Sequence, residues 1–244
     1  SDNLLEKVKK LREITGVGFK DCKIVIDETN GDVEKSIELL RKKGIAKAGK
    51  RMGRTAAEGL VCIFEKDNEF SMIEINSETD FVAKNNQFIN FVEEITEIGL
   101  LKKGNMDNIL LSKMKNKSLV KDNLVELISK IGEKITIRRS SYLSKTKLSN
   151  FSYTHSSLKK NVGKLGVLLS LDTTKNKNEI NDLGKQLAMQ IAASAPLAID
   201  KDGIDSVMLN KEKEIITEEL KSSGKDPKII DKIAMGKLNK FIND

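Results

Sequence analysis

Three short segments of helical periodicity open the chain, cut apart by glycine-bearing turns, and none is long enough to be stable alone. Leu4, Val8 and Leu11 give the first segment one apolar stripe. Thr15-Gly16-Val17-Gly18 then interrupts it, because paired glycines disfavour helix. A second helix is predicted from about Phe19 to Thr29, stopping at Asn30-Gly31. Asp32 is a suitable N-cap for a third, with Val33, Ile37 and Leu40 facing inward and Gly44 at its end. Such helices must share one small core, so residues 1–44 are expected to form a three-helix domain.

The pattern changes beyond it. Residues 45–54 read as a basic linker. Leu60 to Phe64 and Glu69 to Asn76 then read as strands, joined by a turn at Lys66-Asp67-Asn68. A helix follows with Phe88, Val92, Ile95 and Ile98 on one side, and another runs to about Ile131 with Leu124, Leu127, Ile128 and Ile131 inward. Ile135 and Ile137 start a further strand. Later, Leu165 to Leu171 has the composition of a buried strand. A helix from about Asn178 to Ser194 comes next and stops before Ala195-Pro196. Strands followed by helix thus occur twice, which predicts an α+β core of two related halves, residues 55–143 and 144–202. Residues 203–244 read as a helical hairpin. Asp226-Pro227 opens its second arm, and Ile215, Ile216, Leu220, Ile230, Ala234, Leu238 and Phe241 supply its seams. Narrow seams leave such a hairpin able to project.

Composition excludes several classes. No apolar run approaches the roughly 20 residues of a membrane span, and the opening residues lack a signal-peptide pattern. A cytoplasmic protein with buried, unpaired Cys22 and Cys62 is expected. His155 is the single histidine; its neighbours Thr154, Ser156 and Ser157 form no nucleophile elbow, and the chain has no Walker loop, dinucleotide fingerprint or metal-ligand spacing. The expectation is a protein that is not an enzyme and holds no metal or cofactor. The net charge of +7 raises a basic nucleic-acid-binding protein as an alternative. Seven cations between Arg41 and Arg54, with no acidic residue among them, would carry it. No tryptophan and only two tyrosines are present to stack bases, so a solvated basic segment is the simpler reading.

Glu78-Thr79-Asp80-Phe81-Val82-Ala83-Lys84-Asn85 is the most unusual local run, at the passage from strand to helix. Two uses fit it. Thr79 or Asp80 caps a turn and Phe81 fills the core, or a rigid loop presents an acidic group beside an exposed aromatic ring.

Several separate segments, in order, resemble the translation elongation factor Ts family. They are Leu11 to Lys23 with Asn30-Gly31-Asp32, Ala56 to Val61, Thr79 to Asn85, Ile131-Gly132-Glu133, Ile137-Arg138-Arg139, Gly163 to Leu169 and Met189 to Ser194. The resemblance runs nearly the whole chain. It implies a ubiquitin-associated-like N-terminal domain that docks on the GTPase domain of elongation factor Tu through Arg12, Val17, Gly18 and Phe19. It implies that Thr79, Asp80, Phe81 and Val82 reach the partner, with Asp80 and Phe81 disturbing its magnesium and phosphate site. Ile131 and His155 are implied on the same contact face. The implied function is guanine-nucleotide exchange, with no direct nucleic-acid contact and no membrane. A ubiquitin-binding adaptor fits the first three helices but not the two-half core. The hairpin is left open as a self-association arm, another partner's landing site or a solvated projection. The family also continues past such a hairpin with a strand-forming segment and a helix, so a chain ending at Asp244 is expected to be a fragment or a shortened form.

Overall fold

A computed structural model describes residues 2–243 of the chain. It is a mixed α+β protein with two compact units, Ser1–Met189 and Gln190–Asp244.

The first unit opens with α1 (Asp2–Thr15), α2 (Phe19–Glu28) and α3 (Val33–Arg51). Val8, Leu11, Cys22, Val25, Ile26 and Leu40 form their shared core. Asp32 caps α3 as expected, accepting from the Lys35 amide at 3.0 Å. Two expectations fail here. Ile37 is 36% exposed, and the inward position belongs to Ser36. The Ser36 hydroxyl is satisfied by the Asp32 carbonyl at 2.6 Å, a pairing that apolar periodicity does not reveal. Nor does α3 end at Gly44, because it runs on to Arg51, so most of residues 45–54 are helix. Gly44 faces α7 (Val120–Ile131), where an added Cβ would stand 3.1 Å from the Ser129 hydroxyl. The glycine lets two helices approach, which offsets its propensity cost of about 1 kcal/mol.

The main core lies between a four-stranded sheet and its helices. Strand order is β3-β2-β1-β5, from β1 (Glu58–Lys66), β2 (Glu69–Ser77), β3 (Ile135–Leu143) and β5 (Val162–Gly163). β1 and β2 form a hairpin in register from Glu58 opposite Ser77 to Lys66 opposite Glu69. Asp67 and Asn68 turn it with φ of 53° and 65°, the left-handed pair that a two-residue hairpin requires. α5 (Asn86–Leu101) covers one face, burying Phe88, Val92 and Ile95 against Leu60, Ile73 and Ile75. Between β2 and β3 the register shifts after Glu74. Consecutive strand residues normally point to opposite faces, yet Arg138 and Arg139 both reach Glu74, at 2.9 and 2.5 Å.

A second, two-stranded sheet pairs β4 (Ser149–His155) with β6 (Leu165–Leu171). It lies against the opposite face of the first sheet, where Gly166 meets Val61 and Met72. Asn68 joins the two, its carbonyl accepting from the buried Asn150 amide group at 2.7 Å. Two short helices complete this part, α4 (Asp80–Ala83) and α6 (Met106–Leu110). α8 (Asn181–Ser194) crosses from the first unit into the second. The second unit pairs α9 (Ser206–Ser222) with α10 (Pro227–Asn243) around Ile216, Leu220, Ile230 and Ala234. Asp226 caps α10, its carboxylate taking the Lys228 amide at 2.9 Å. Ile215 sits outside that seam, exposed.

Candidate functional site

β2 ends at Ser77, and the chain must turn sharply to enter α5. It does so through α4, a single helical turn containing Asp80, Phe81 and Val82. Val82 points inward, 7% exposed, so its side chain anchors α4 to the core. Phe81 points the other way and is 78% exposed. Of the two uses open for this run, core filling by Phe81 is therefore excluded. An exposed phenylalanine on a braced turn gives up apolar burial worth about 2 kcal/mol.

The brace comes from far away in sequence. Thr79 occupies the N-cap position of α4, but its side chain makes no capping bond. Its amide and hydroxyl instead donate to the two carboxylate oxygens of Glu133, at 2.9 and 2.6 Å. In return, Glu78 accepts the Lys134 amide at 2.6 Å. Arg54, just beyond α3, donates to Glu78 at 3.3 Å, and its carbonyl accepts the Lys134 ammonium at 2.8 Å. The Lys134 amide, followed by Arg54, holds the Glu78 carboxyl below the usual glutamate range. Asp80 is lowered in the same direction, first by its hydrogen bond from Lys84 at 2.9 Å and also by the charge of Lys164.

The other anticipated residues fall around this turn. Ile131 is half-buried against the main core at the end of α7, two residues before Glu133. The same helix end meets the α1–α2 turn, where a Cβ at Gly16 would lie 3.2 Å from the Lys130 side chain. In that turn Arg12, Gly18 and Phe19 are exposed, while Val17 packs on the three-helix core. Residues 129–133 thus connect the two anticipated contact segments. His155 is exposed at the end of β4, its Nδ1 3.0 Å from the Tyr153 hydroxyl. Its carbonyl accepts, at 3.1 Å, the amide of Lys164, the residue whose charge also acts on Asp80. Sequence reasoning missed the roles of Glu78, Glu133, Lys134 and Arg54, since no spacing rule joins residues 54 positions apart. It also passed over Ile14, which is exposed near the end of α1.

The basic stretch is largely engaged. Arg41 pairs with Asp122, Lys42 with Glu38, Lys43 with Glu28, Lys47 with Asp21 and Arg54 with Glu78. Arg51 donates to the Ile128 carbonyl at 2.8 Å, at the negative end of α7. A continuous phosphate track needs free cations. Among the described residues, only Lys50 of the seven makes no such contact.

With this geometry established, the relatives decide the family. A family model described as Elongation factor TS matches residues 78–244. Elongation factor Ts of Bartonella quintana (strain Toulouse) is 43% identical over 239 residues, covering 98% of this chain and 78% of its own length. The chain belongs to the elongation factor Ts family. Elongation factors Ts of Rhodospirillum centenum and Rhizobium etli are 40% and 41% identical, over 97% of the chain and 78% and 77% of their own lengths. As a member of this family the protein is a translation elongation factor and not an enzyme. Among the described residues, no helix is long and apolar enough to cross a membrane.

Proposed function

We propose that this chain is a guanine-nucleotide exchange factor for elongation factor Tu, and that Phe81 is the wedge by which it loosens bound GDP. The observation that carries the reading is Phe81 itself, largely exposed on a turn whose backbone is held by Glu133. An exchange factor makes and breaks no covalent bond. It binds the nucleotide-free GTPase more tightly than the GDP-bound form, so by linkage it weakens GDP binding by the same factor. Each tenfold weakening requires about 1.4 kcal/mol of differential contact. Displacing elements that hold magnesium is an effective way to supply it, because the ion neutralises the phosphates. In this reading Phe81 intrudes beside those elements, and the ionised Asp80 stabilises the displaced arrangement.

The three-helix domain of α1, α2 and α3 takes the docking role, with Arg12, Gly18 and Phe19 exposed where α1 passes to α2. Val17 shapes that turn from beneath. Ile131 and His155 complete the contact face, the action is cytoplasmic, and the hairpin of residues 203–244 serves as a separate arm. The test is release of fluorescent GDP from elongation factor Tu at saturating chain. Phe81→Ala should slow release by roughly two orders of magnitude while weakening docking only a few-fold. Release at the unmodified rate by Phe81→Ala would remove the wedge.

A further inference from the structure

α4 is four residues long and cannot hold its own orientation, because one helical turn returns too few hydrogen bonds for the backbone it fixes. Val82 anchors one side of it, but an apolar anchor sets depth better than rotation. Local bonds close the turn, from Lys84 to the Asp80 carboxylate, from the Lys84 and Asn85 amides to the Phe81 and Val82 carbonyls, and from the Ser77 hydroxyl to the Thr79 carbonyl. The pair of bonds at Thr79 ties it to a distant part of the chain. Both end on one carboxylate, the amide on one oxygen and the hydroxyl on the other, so two points of Thr79 are held by a single side chain. The neighbouring residues repeat the arrangement in reverse, Glu78 accepting from the Lys134 amide. Two loops therefore hold each other through adjacent, reciprocal carboxylates, and Arg54 closes the group from the end of α3.

We propose that Glu133 is a positioning residue for exchange, setting the direction in which Phe81 is presented before the partner arrives. The inference rests on the wedge reading of Phe81. Its physical content is preorganisation: a ring already aimed loses less freedom on binding than one on a swivelling turn. Glu133 touches no part of the partner in this account and acts only through Thr79.

The test is a cycle of Glu133→Ala and Phe81→Ala, read as the maximal rate of GDP release from elongation factor Tu and as docking affinity. Amide exchange of residues 79–83 is measured on the same proteins. Glutamine at 133 can accept the Thr79 amide and donate to its hydroxyl, so Glu133→Gln keeps the geometry without the charge. Thr79→Val removes only the hydroxyl bond and guards against a folding defect in Glu133→Ala. Glu133→Ala should lower the maximal rate about tenfold, with docking changed by no more than about twofold. Thr79→Val should lie between, Glu133→Gln should recover most of the rate, and amides 79–83 should exchange faster in Glu133→Ala. In the Phe81→Ala background, Glu133→Ala should cost nothing more. Additive losses, or a glutamine as harmful as alanine, would overturn the proposal. If Phe81→Ala slows release and Glu133→Ala does not, positioning falls and the wedge stands. If Glu133→Ala alone slows release, both fall.

Discussion

Gly184 of α8 lies flat against the ring of Phe151 in β4: a Cβ built at Gly184 would stand 2.4 to 2.6 Å from three of the ring carbons. Phe151 is itself buried, so the ring cannot swing into solvent to make room. Two effects oppose each other in Gly184→Ala. Helix propensity favours alanine by about 1 kcal/mol. Forcing a methyl into a filled core costs about 1–3 kcal/mol, and more when the contact is this short. Crowding wins, and the variant should be destabilised by about 1–2 kcal/mol in urea denaturation. Equal or greater stability would mean that α8 can lift from the second sheet at little cost.

Legibility followed burial contrast. The α5 stripe and the β1–β2 hairpin could be read directly, since Phe88, Val92 and Ile95 repeat at helical spacing and Asp67-Asn68 is turn chemistry. β4 could not be placed residue by residue. Its segment, Ser-Asn-Phe-Ser-Tyr-Thr-His, buries Ser149 and Asn150 along with Phe151, so polarity hides the strand. Gly44 misled for a related reason: a glycine that lets two helices meet looks like a helix stop until the partner helix is known. At the site, Phe81 was conspicuous locally, whereas Glu133 acquires meaning only when α7 and β2 are brought together. Distant pairing of that kind leaves no periodic trace.

The two cysteines should be silent while the protein is folded. Burial pushes the Cys62 thiol up to about 11, and burial raises Cys22 as well. The thiolate is the reactive species, so at pH 8 on the order of one Cys62 in a thousand is ionised, against roughly a quarter in an unfolded chain. Alkylation by iodoacetamide should therefore track unfolding, with both thiols appearing together as denaturant opens the first unit. Rapid labelling of Cys62 in native buffer would show that β1 opens locally.

The α9–α10 hairpin has a narrow seam. Leu220 is one of four buried residues at its centre, and Leu220→Ala should cost the pair about 2–4 kcal/mol. A seam this small has little stability in reserve. Amides in Ser206–Ser222 and Pro227–Asn243 should lose protection from hydrogen exchange, while those of α5 keep theirs. Unchanged protection in the hairpin would mean that its stability has another source.

Acid should loosen the brace on Phe81 in a defined direction. Glu78 is held below the usual glutamate value, first by the Lys134 amide and then by Arg54. Its folded value is thus lower than its unfolded one. The stabilisation it lends is complete above the unfolded value, near pH 4.3, and disappears as pH falls through the lower folded value. Asp80 follows the same sign through Lys84. Carbon NMR of the Glu78 carboxyl should give a midpoint below that of an unstructured glutamate. Lys134 amide protection, corrected for intrinsic exchange, should fall over the same window. Glu78→Gln should abolish that fall, since glutamine does not titrate there. A Glu78 midpoint at or above the unstructured value would show that the carboxylate is not held by Lys134, and the reciprocal half of the brace would be lost with it.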